Sequence, residues 1–303
     1  MAQAYADRAG GVSDRRRCVI ERDLGQTRAM NVLITGASSG IGAATALHLD
    51  AQGFNVFAGV QSFATAPHGG SPRLRRIELD VASEASIAAA LGEIERHVDG
   101  AGLDGIVNNA GVGFPGPLEA LPLDDLRRQL EVNVIGQVAV TQAALPLIRR
   151  ANGRVVLVSS VGGVLASPFA GAYHASKFAL EAIGDVWRQE LDPDGIPVIL
   201  IEPAAISTPI WDKALAYLDG LTTSADPRLD RYRERLAAFR ETLHSADEHG
   251  KSPEDVAATI LEALTSKRPD TRYVVGGAGK LATALRPLVP DRLADKLGER
   301  TST

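Results

Sequence analysis

The sequence predicts a single-domain α/β fold built on a doubly wound, seven-stranded parallel sheet. Three observations carry that expectation. From Met30 onward, short β-branched runs alternate with longer Ala/Leu-rich stretches, the rhythm of strands joined by crossover helices. A glycine-rich turn separates the first strand-like run from the first helix-like one. At 303 residues, 45% of them hydrophobic, the chain can bury a core without a disulfide or a metal.

Strands are expected at 31 to 35, 54 to 60, 74 to 79, 104 to 108, 153 to 159, 197 to 202 and 272 to 276. Between them the spacing predicts helices at 40 to 52, 83 to 98, 122 to 149, 171 to 191 and 253 to 266. Ser252, Pro253 and Asp255 open the last of these as a capping box with proline at the first helical position. Asn152-Gly153 and Asp194-Gly195 mark helix-to-strand returns, where a glycine is expected to take a positive φ.

Three segments fall outside this rhythm. Residues 1 to 29 read as a flexible tail: Arg15, Arg16 and Arg17 are not followed by the apolar core of a secretory signal. Met30 directly precedes the first strand, so a functional start at Met30 is an expectation of the sequence. Residues 209 to 250 carry Trp211, Leu215, Tyr217, Leu218, Leu236, Phe239 and Leu243 in a helical, mixed polar and apolar pattern, and read as a lid. Residues 277 to 303 form a C-terminal extension of the catalytic domain that begins at residue 30.

Charge and composition exclude several classes. A net charge of −5 leaves no basic face for phosphates, which argues against nucleic acid as a partner. Cys18 is the single cysteine and the six histidines show no metal-ligand spacing, so no metal is expected and a reducing cytoplasm fits. No uninterrupted apolar run approaches the ~18 residues of a membrane span.

The chemistry is carried by four segments. Thr35-Gly36-Ala37-Ser38-Ser39-Gly40-Ile41-Gly42 lies between the first strand and first helix, where backbone amides and the helix dipole suit a pyrophosphate. Its spacing, Gly-x3-Gly-x-Gly, differs from the common dinucleotide pattern. Asn108-Asn109-Ala110-Gly111 ends the fourth strand, which faces that loop if the strand order reverses between the first and fourth strands. The fifth strand ends in Ser159-Ser160. Tyr173 and Lys177 stand one helical turn apart on one face, so the ammonium can stabilise a phenolate.

Taken together, the chain from about Met30 to Gly276 resembles the short-chain dehydrogenase/reductase family, a Rossmann-type fold. The resemblance implies NAD(P)-dependent oxidoreduction at a CH–OH group, with Asn133, Ser160, Tyr173 and Lys177 as the catalytic set. Family spacing selects Ser160 over Ser159 and matches Asn133 to the family's helix asparagine, which would hold a water linking Lys177 to solvent. Tyr173 and Lys177 are also implied as cofactor contacts, as are Gly36, Ser38, Ser39, Gly40, Ile41, Gly42, Asn109, Ala110 and Gly111. Asp80 and Val81 resemble the pair that holds adenine. Pro203, Ile206 and Thr208 resemble the segment that contacts nicotinamide, with Ala204 in place of the usual glycine. If that position needs a positive φ, Ala204 costs on the order of 1 kcal/mol.

In reduction, Tyr173 would give a proton to the carbonyl oxygen while Ser160 fixes it. The second strand ends in Gln61-Ser62, with neither an acid for a ribose hydroxyl nor an arginine for a 2′-phosphate. Either NAD(H) or NADP(H) is compatible, and the missing carboxylate leans toward NADP(H). The lid and the tail from 281 to 297 suit a lipophilic alcohol or ketone. The tail and Thr271-Arg272-Tyr273 also resemble retinol and steroid dehydrogenases. The helices at 122 to 149 and 171 to 191 resemble those through which relatives form homodimers or homotetramers. Two rival functions are a catalytically silent dinucleotide-binding regulator of the same fold and a nucleotide-sugar epimerase.

Overall fold

The computed structural model describes residues 28 to 65, 69 to 277, 289 and 290. The expected N-terminal tail up to residue 27, and the C-terminal extension apart from Gly277 and residues 289 and 290, lie outside the described residues.

The strands are β1 (Asn31–Ile34), β2 (Asn55–Val60), β3 (Leu74–Glu78), β4 (Gly105–Asn108), β5 (Arg154–Val158), β6 (Val198–Pro203) and β7 (Arg272–Val275). They form one parallel sheet in the order β3-β2-β1-β4-β5-β6-β7. The chain winds outward to β3, then returns to lay β4 beside β1. That reversal opens a crevice at the carboxyl ends of β1 and β4.

Side-chain alternation sends Leu33, Phe57, Ile106, Val155, Leu157 and Leu200 to one face of the sheet and Val32, Ile34, Val56, Val107, Val156 and Ile201 to the other. Both faces are covered, which is why these strands read as continuous apolar runs rather than alternating ones. Helices α1 (Gly40–Ala51) and α8 (Pro253–Thr265) cover one face. Helices α2 (Glu84–Val98), α4 (Gly136–Ala151) and α5 (Gly171–Glu190) cover the other. Ser252 caps α8, its hydroxyl accepting the Asp255 amide at 3.3 Å.

The structure departs from the sequence expectation in two places. The helix expected over 122 to 149 is broken into α3 (Leu123–Leu130), a π-helical turn at Glu131–Ile135, and α4. Such a turn inserts one extra residue into the helix and re-aims the side chains within it, and Asn133 stands in it. At Asn152-Gly153, Asn152 takes the left-handed conformation with φ 48°, not the glycine. Gly153 is needed for space, because a Cβ there would lie 2.2 Å from the Leu103 carbonyl oxygen. Gly195 does take a positive φ, 65°.

Residues 209 to 250 form α6 (Ile210–Thr222), a 3-10 turn at Pro227–Tyr232 and α7 (Arg233–Glu248). Leu218, Leu229, Leu236, Phe239 and Leu243 from this segment pack with Phe169 in a third apolar cluster, with Trp211 and Leu215 at its edge. The segment expected as a lid is thus helical and packed on its own apolar cluster. Tyr217 points elsewhere, donating to the Asp125 carboxylate and meeting Phe114 edge to face. Among the described residues, Leu123–Ala151 is long and apolar enough to cross a membrane by composition, and half of its most apolar stretch is buried inside the fold.

Candidate active site

The glycine loop and the β4 loop are built against each other. Thr35 Oγ1 accepts the Asn109 and Ala110 amides at 2.9 and 3.0 Å, and Asn109 Nδ2 donates to the Thr35 and Gly36 carbonyls at 3.0 and 3.2 Å. Gly36 and Gly40 have φ of 64° and 54°, open to glycine and costly to other residues. A Cβ on Gly36 would lie 2.7 Å from Ala110 Cα, and one on Gly42 would lie 2.3 Å from the Gly36 carbonyl oxygen. Ser39 begins α1 without a side-chain cap, so no hydroxyl satisfies its first-turn amides. These features make a cradle for an anionic ligand at a helix N-terminus, and they fit a dinucleotide pyrophosphate.

The groups expected to react come from the end of β5 and from the first turns of α5. Ser160 begins a 3-10 turn, accepts the Gly162 amide at 3.0 Å and donates to the Pro203 carbonyl at 3.3 Å. The same hydroxyl neighbours Tyr173. Burial pushes the Tyr173 phenol above its ordinary value, and the Ser160 hydroxyl works the other way. Lys177 Nζ sits 5.7 Å from the centre of the Tyr173 ring and donates to the Val158 carbonyl at 2.8 Å. Burial pulls its pKa down to about 8, with the Glu181 carboxylate opposing the fall. Burial thus favours the neutral phenol, with a buried amine beside it.

His174 braces this loop. Its Nδ1 lies 2.9 Å from the Gly162 carbonyl and its Nε2 3.1 Å from Ser167 Oγ. A carbonyl only accepts, so Nδ1 carries the proton and Nε2 accepts from the serine. Burial lowers the imidazole pKa, which keeps this neutral tautomer.

Asn133 is fully buried and its side chain is spent on bracing. Oδ1 accepts the Val112 amide at 2.8 Å, while Nδ2 donates to the Val112 carbonyl at 3.0 Å and to Ser176 Oγ at 3.1 Å. What this residue does visibly is tie the β4 loop to α5.

The other expected cofactor contacts divide. Ser38, Ser39, Gly40 and Ile41 lie on the loop, with Ser39 and Gly111 exposed. Thr208 overhangs it, its Cγ2 being 3.2 Å from a Cβ built on Gly40. Gln61 donates to the Asp80 carboxylate at 3.2 Å, which joins two of the expected cofactor contacts. Val81 and Ile206, by contrast, bury their side chains in the core. Ala204 is not among the residues with positive φ, and the penalty considered for it does not arise. It packs instead against Gly276, where a Cβ would lie 2.9 Å from its own.

Sequence reasoning missed Gln129 and Gln137, whose amides hold the Val112 and Ala110 carbonyls, and the carboxylates Glu181 and Glu202. Glu202 left one signal, an acid inside the apolar run Val198 to Pro203. Among the described residues, no group of three His, Cys, Asp or Glu is placed to hold a metal.

A glycine-lined cradle at the switch point of a parallel sheet, with a phenol, an ammonium and a hydroxyl at the neighbouring strand ends, defines a nicotinamide-dinucleotide oxidoreductase. Comparison with known proteins gives the family: the short chain dehydrogenase model matches residues 30–217. The chain belongs to the short chain dehydrogenase family, NAD(P)-dependent enzymes acting on CH–OH groups. It is 39% identical over 252 residues to a 3-amino-tetrahydro-pyrrolizinone reductase of Xenorhabdus hominickii, covering 82% of this chain and 88% of the relative. It is 35% identical to an NADPH-dependent 3-dehydrocapnine reductase of Ornithobacterium rhinotracheale (88% and 94% covered). Retinol dehydrogenase 16 of Mus musculus is 36% identical (88% and 86% covered). Among solved structures, a short-chain dehydrogenase from Streptomyces avermitilis superposes with a TM-score of 0.70 at 27% identity, covering 86% of this chain and 92% of that one.

Proposed function

We propose that the protein interconverts a lipophilic secondary alcohol and ketone, or primary alcohol and aldehyde, with Tyr173 as general acid and base and NADP(H) as the preferred dinucleotide. The observation that carries this reading is the Lys177 ammonium, buried one turn further along α5 and 5.7 Å from the centre of the Tyr173 ring. A bound nicotinamide supplies the hydride in reduction and takes it in oxidation. Ser160 donates to the carbonyl oxygen and positions it. Tyr173 gives that oxygen its phenolic proton as negative charge develops, and the Lys177 cation holds the phenolate left behind. Oxidation runs the same transfers backwards. Asn133, through Val112 and Ser176, keeps the β4 loop in register with the helix that carries Tyr173 and Lys177.

The NADP(H) preference is supported by the absence of an acid at the end of β2, where Gln61 and Ser62 stand, and by the relative named as NADPH-dependent. The lipophilic substrate is supported by the apolar cap of α6 and α7 and by the likeness to a retinol dehydrogenase. Leu123, Ile135, Phe178 and Val186 are exposed on α3, the π turn and α5, which supports a homodimer or homotetramer.

Tyr173→Phe should lower turnover about 10³-fold and leave the dissociation constant of NADPH unchanged. Retained turnover in this variant would overturn the assignment. In the wild type, NADPH should bind more tightly than NADH, and large apolar ketones should outperform small polar ones.

A further inference from the structure

Behind the reacting pair lies a second set of charged groups. Glu181 stands one turn beyond Lys177 on α5 and Glu202 lies on β6, and both are buried, with 7% and 2% exposed. Both carboxylates face one cation. Arg272 Nε, on β7, hydrogen-bonds Glu181 Oε2 at 3.1 Å and lies 3.2 Å from Glu202 Oε1. Its Nη2 meets Asp185 at 2.9 Å, which Arg188 holds at 2.8 Å. Toward the active site, a Cβ on Gly163 would lie 2.8 Å from Glu181 Cγ, 2.9 Å from Ser159 Oγ and 3.1 Å from the Lys177 carbonyl oxygen. Glu181 therefore packs directly behind the strand end to which the Lys177 ammonium donates. Glu181 Oε1, Glu202 Oε1 and Ser159 Oγ are buried without hydrogen-bond partners, so the two acids are under-compensated by their single shared arginine.

We propose that Glu181 is a positioning residue that keeps Lys177 cationic, and that Arg272 sets how much of the Glu181 charge the lysine feels. The inference rests on Tyr173 and Lys177 being the reacting pair. The charged groups facing Glu181 are Lys177 and Asp185 from its own helix, Glu202 from β6 and Arg272 from β7. In a poorly solvated interior, an anion one turn away favours the protonated amine. Glu202 is pushed up to about 7, first by burial and then by the Glu181 charge. Glu181 is the carboxylate that hydrogen-bonds Arg272. Removing the Glu181 charge leaves desolvation of Lys177 unopposed, and the phenolate of Tyr173 loses its counter-ion closer to neutrality.

The test follows the alkaline limb of the kcat/KM profile, with the Lys177 titration read directly by NMR of ¹³Cε-labelled lysine in the full chain. Glu181→Gln, which keeps the size and one acceptor, should move both midpoints down by about one pH unit. Arg272→Gln, at a partly exposed position, should move both up, because Glu181 loses its competing cation. An unmoved Lys177 midpoint, or movement of both variants in the same direction, would overturn the proposal. Should Glu181→Gln fail to fold, Arg272→Gln decides alone: an upward shift supports the proposal and any other result refutes it. Turnover retained by Tyr173→Phe would instead defeat the catalytic assignment, whereas an inactive Tyr173→Phe with an unmoved Lys177 midpoint defeats only the role of Glu181.

Discussion

The Lys177 ammonium donates to the Val158 carbonyl at 2.8 Å, joining the helix that carries Tyr173 to the end of the central strand β5. That single bond replaces the hydration shell of a buried cation, and it replaces it incompletely: burial pulls the lysine pKa down to about 8.

This makes a signed prediction for stability. The unfolded value is about 10.4, so between about pH 8 and pH 10 the unfolded chain binds more protons at this site than the folded one. The contribution of Lys177 to stability therefore rises with pH across that window, and below it the full cost of burying the charge is present. Lys177→Met removes the slope. Compared by denaturant melts, the variant should gain on the wild type below about pH 8 and lose that advantage above it, by at most about 1.4 kcal/mol per pH unit. Parallel pH dependences would show that the lysine is not desolvated.

Gly42→Ala should cripple dinucleotide binding. The added methyl meets the Gly36 carbonyl oxygen at 2.3 Å and Asn109 Nδ2 at 2.5 Å, and neither can yield without breaking the bonds between the two loops. We expect a loss of about 1 to 3 kcal/mol in stability and at least a tenfold weaker NADPH affinity, roughly 1.4 kcal/mol, measured by calorimetry. Gly220→Ala is the control: it lies on helix α6 with nothing within 4 Å of its Cβ, and should stabilise by up to about 1 kcal/mol.

Phe169 holds the cap to the catalytic loop at a conformational cost. Its φ is 65°, its ring lies 5.6 Å from Phe239 and 6.1 Å from Tyr232, and its carbonyl accepts the Gly116 amide at 2.7 Å. Phe169→Ala should lose about 3 kcal/mol of stability and raise KM for bulky ketones. Phe169→Gly should be at least as stable as Phe169→Ala, reversing the usual order, because glycine alone accepts this backbone without strain. Urea melts of the two variants check the order.

The strands were legible because both sheet faces are buried: each of the seven expected runs coincides with an observed strand to within a residue or two. The glycine loop was legible from its spacing. Between Ser159 and Ser160, only the family spacing chose, and the geometry explains the choice. Ser160 neighbours Tyr173, whereas Ser159 is buried behind it without a partner. The π turn at Asn133 was not legible, since its composition is that of the helix around it. Nor was the part played by Asn109, which holds the carbonyls of a loop more than seventy residues earlier in the chain.

What the sequence by itself determined was the order of strands and helices, the glycine cradle and the helical turn between Tyr173 and Lys177, because these follow from periodicity and from backbone limits within a few neighbouring residues. The tertiary structure decided the protonation landscape around them. Glu181 and Arg272 stand 91 residues apart in the chain and meet only when β7 is laid beside β6. A charge feels burial and its partners, and both come into being only with the packed fold.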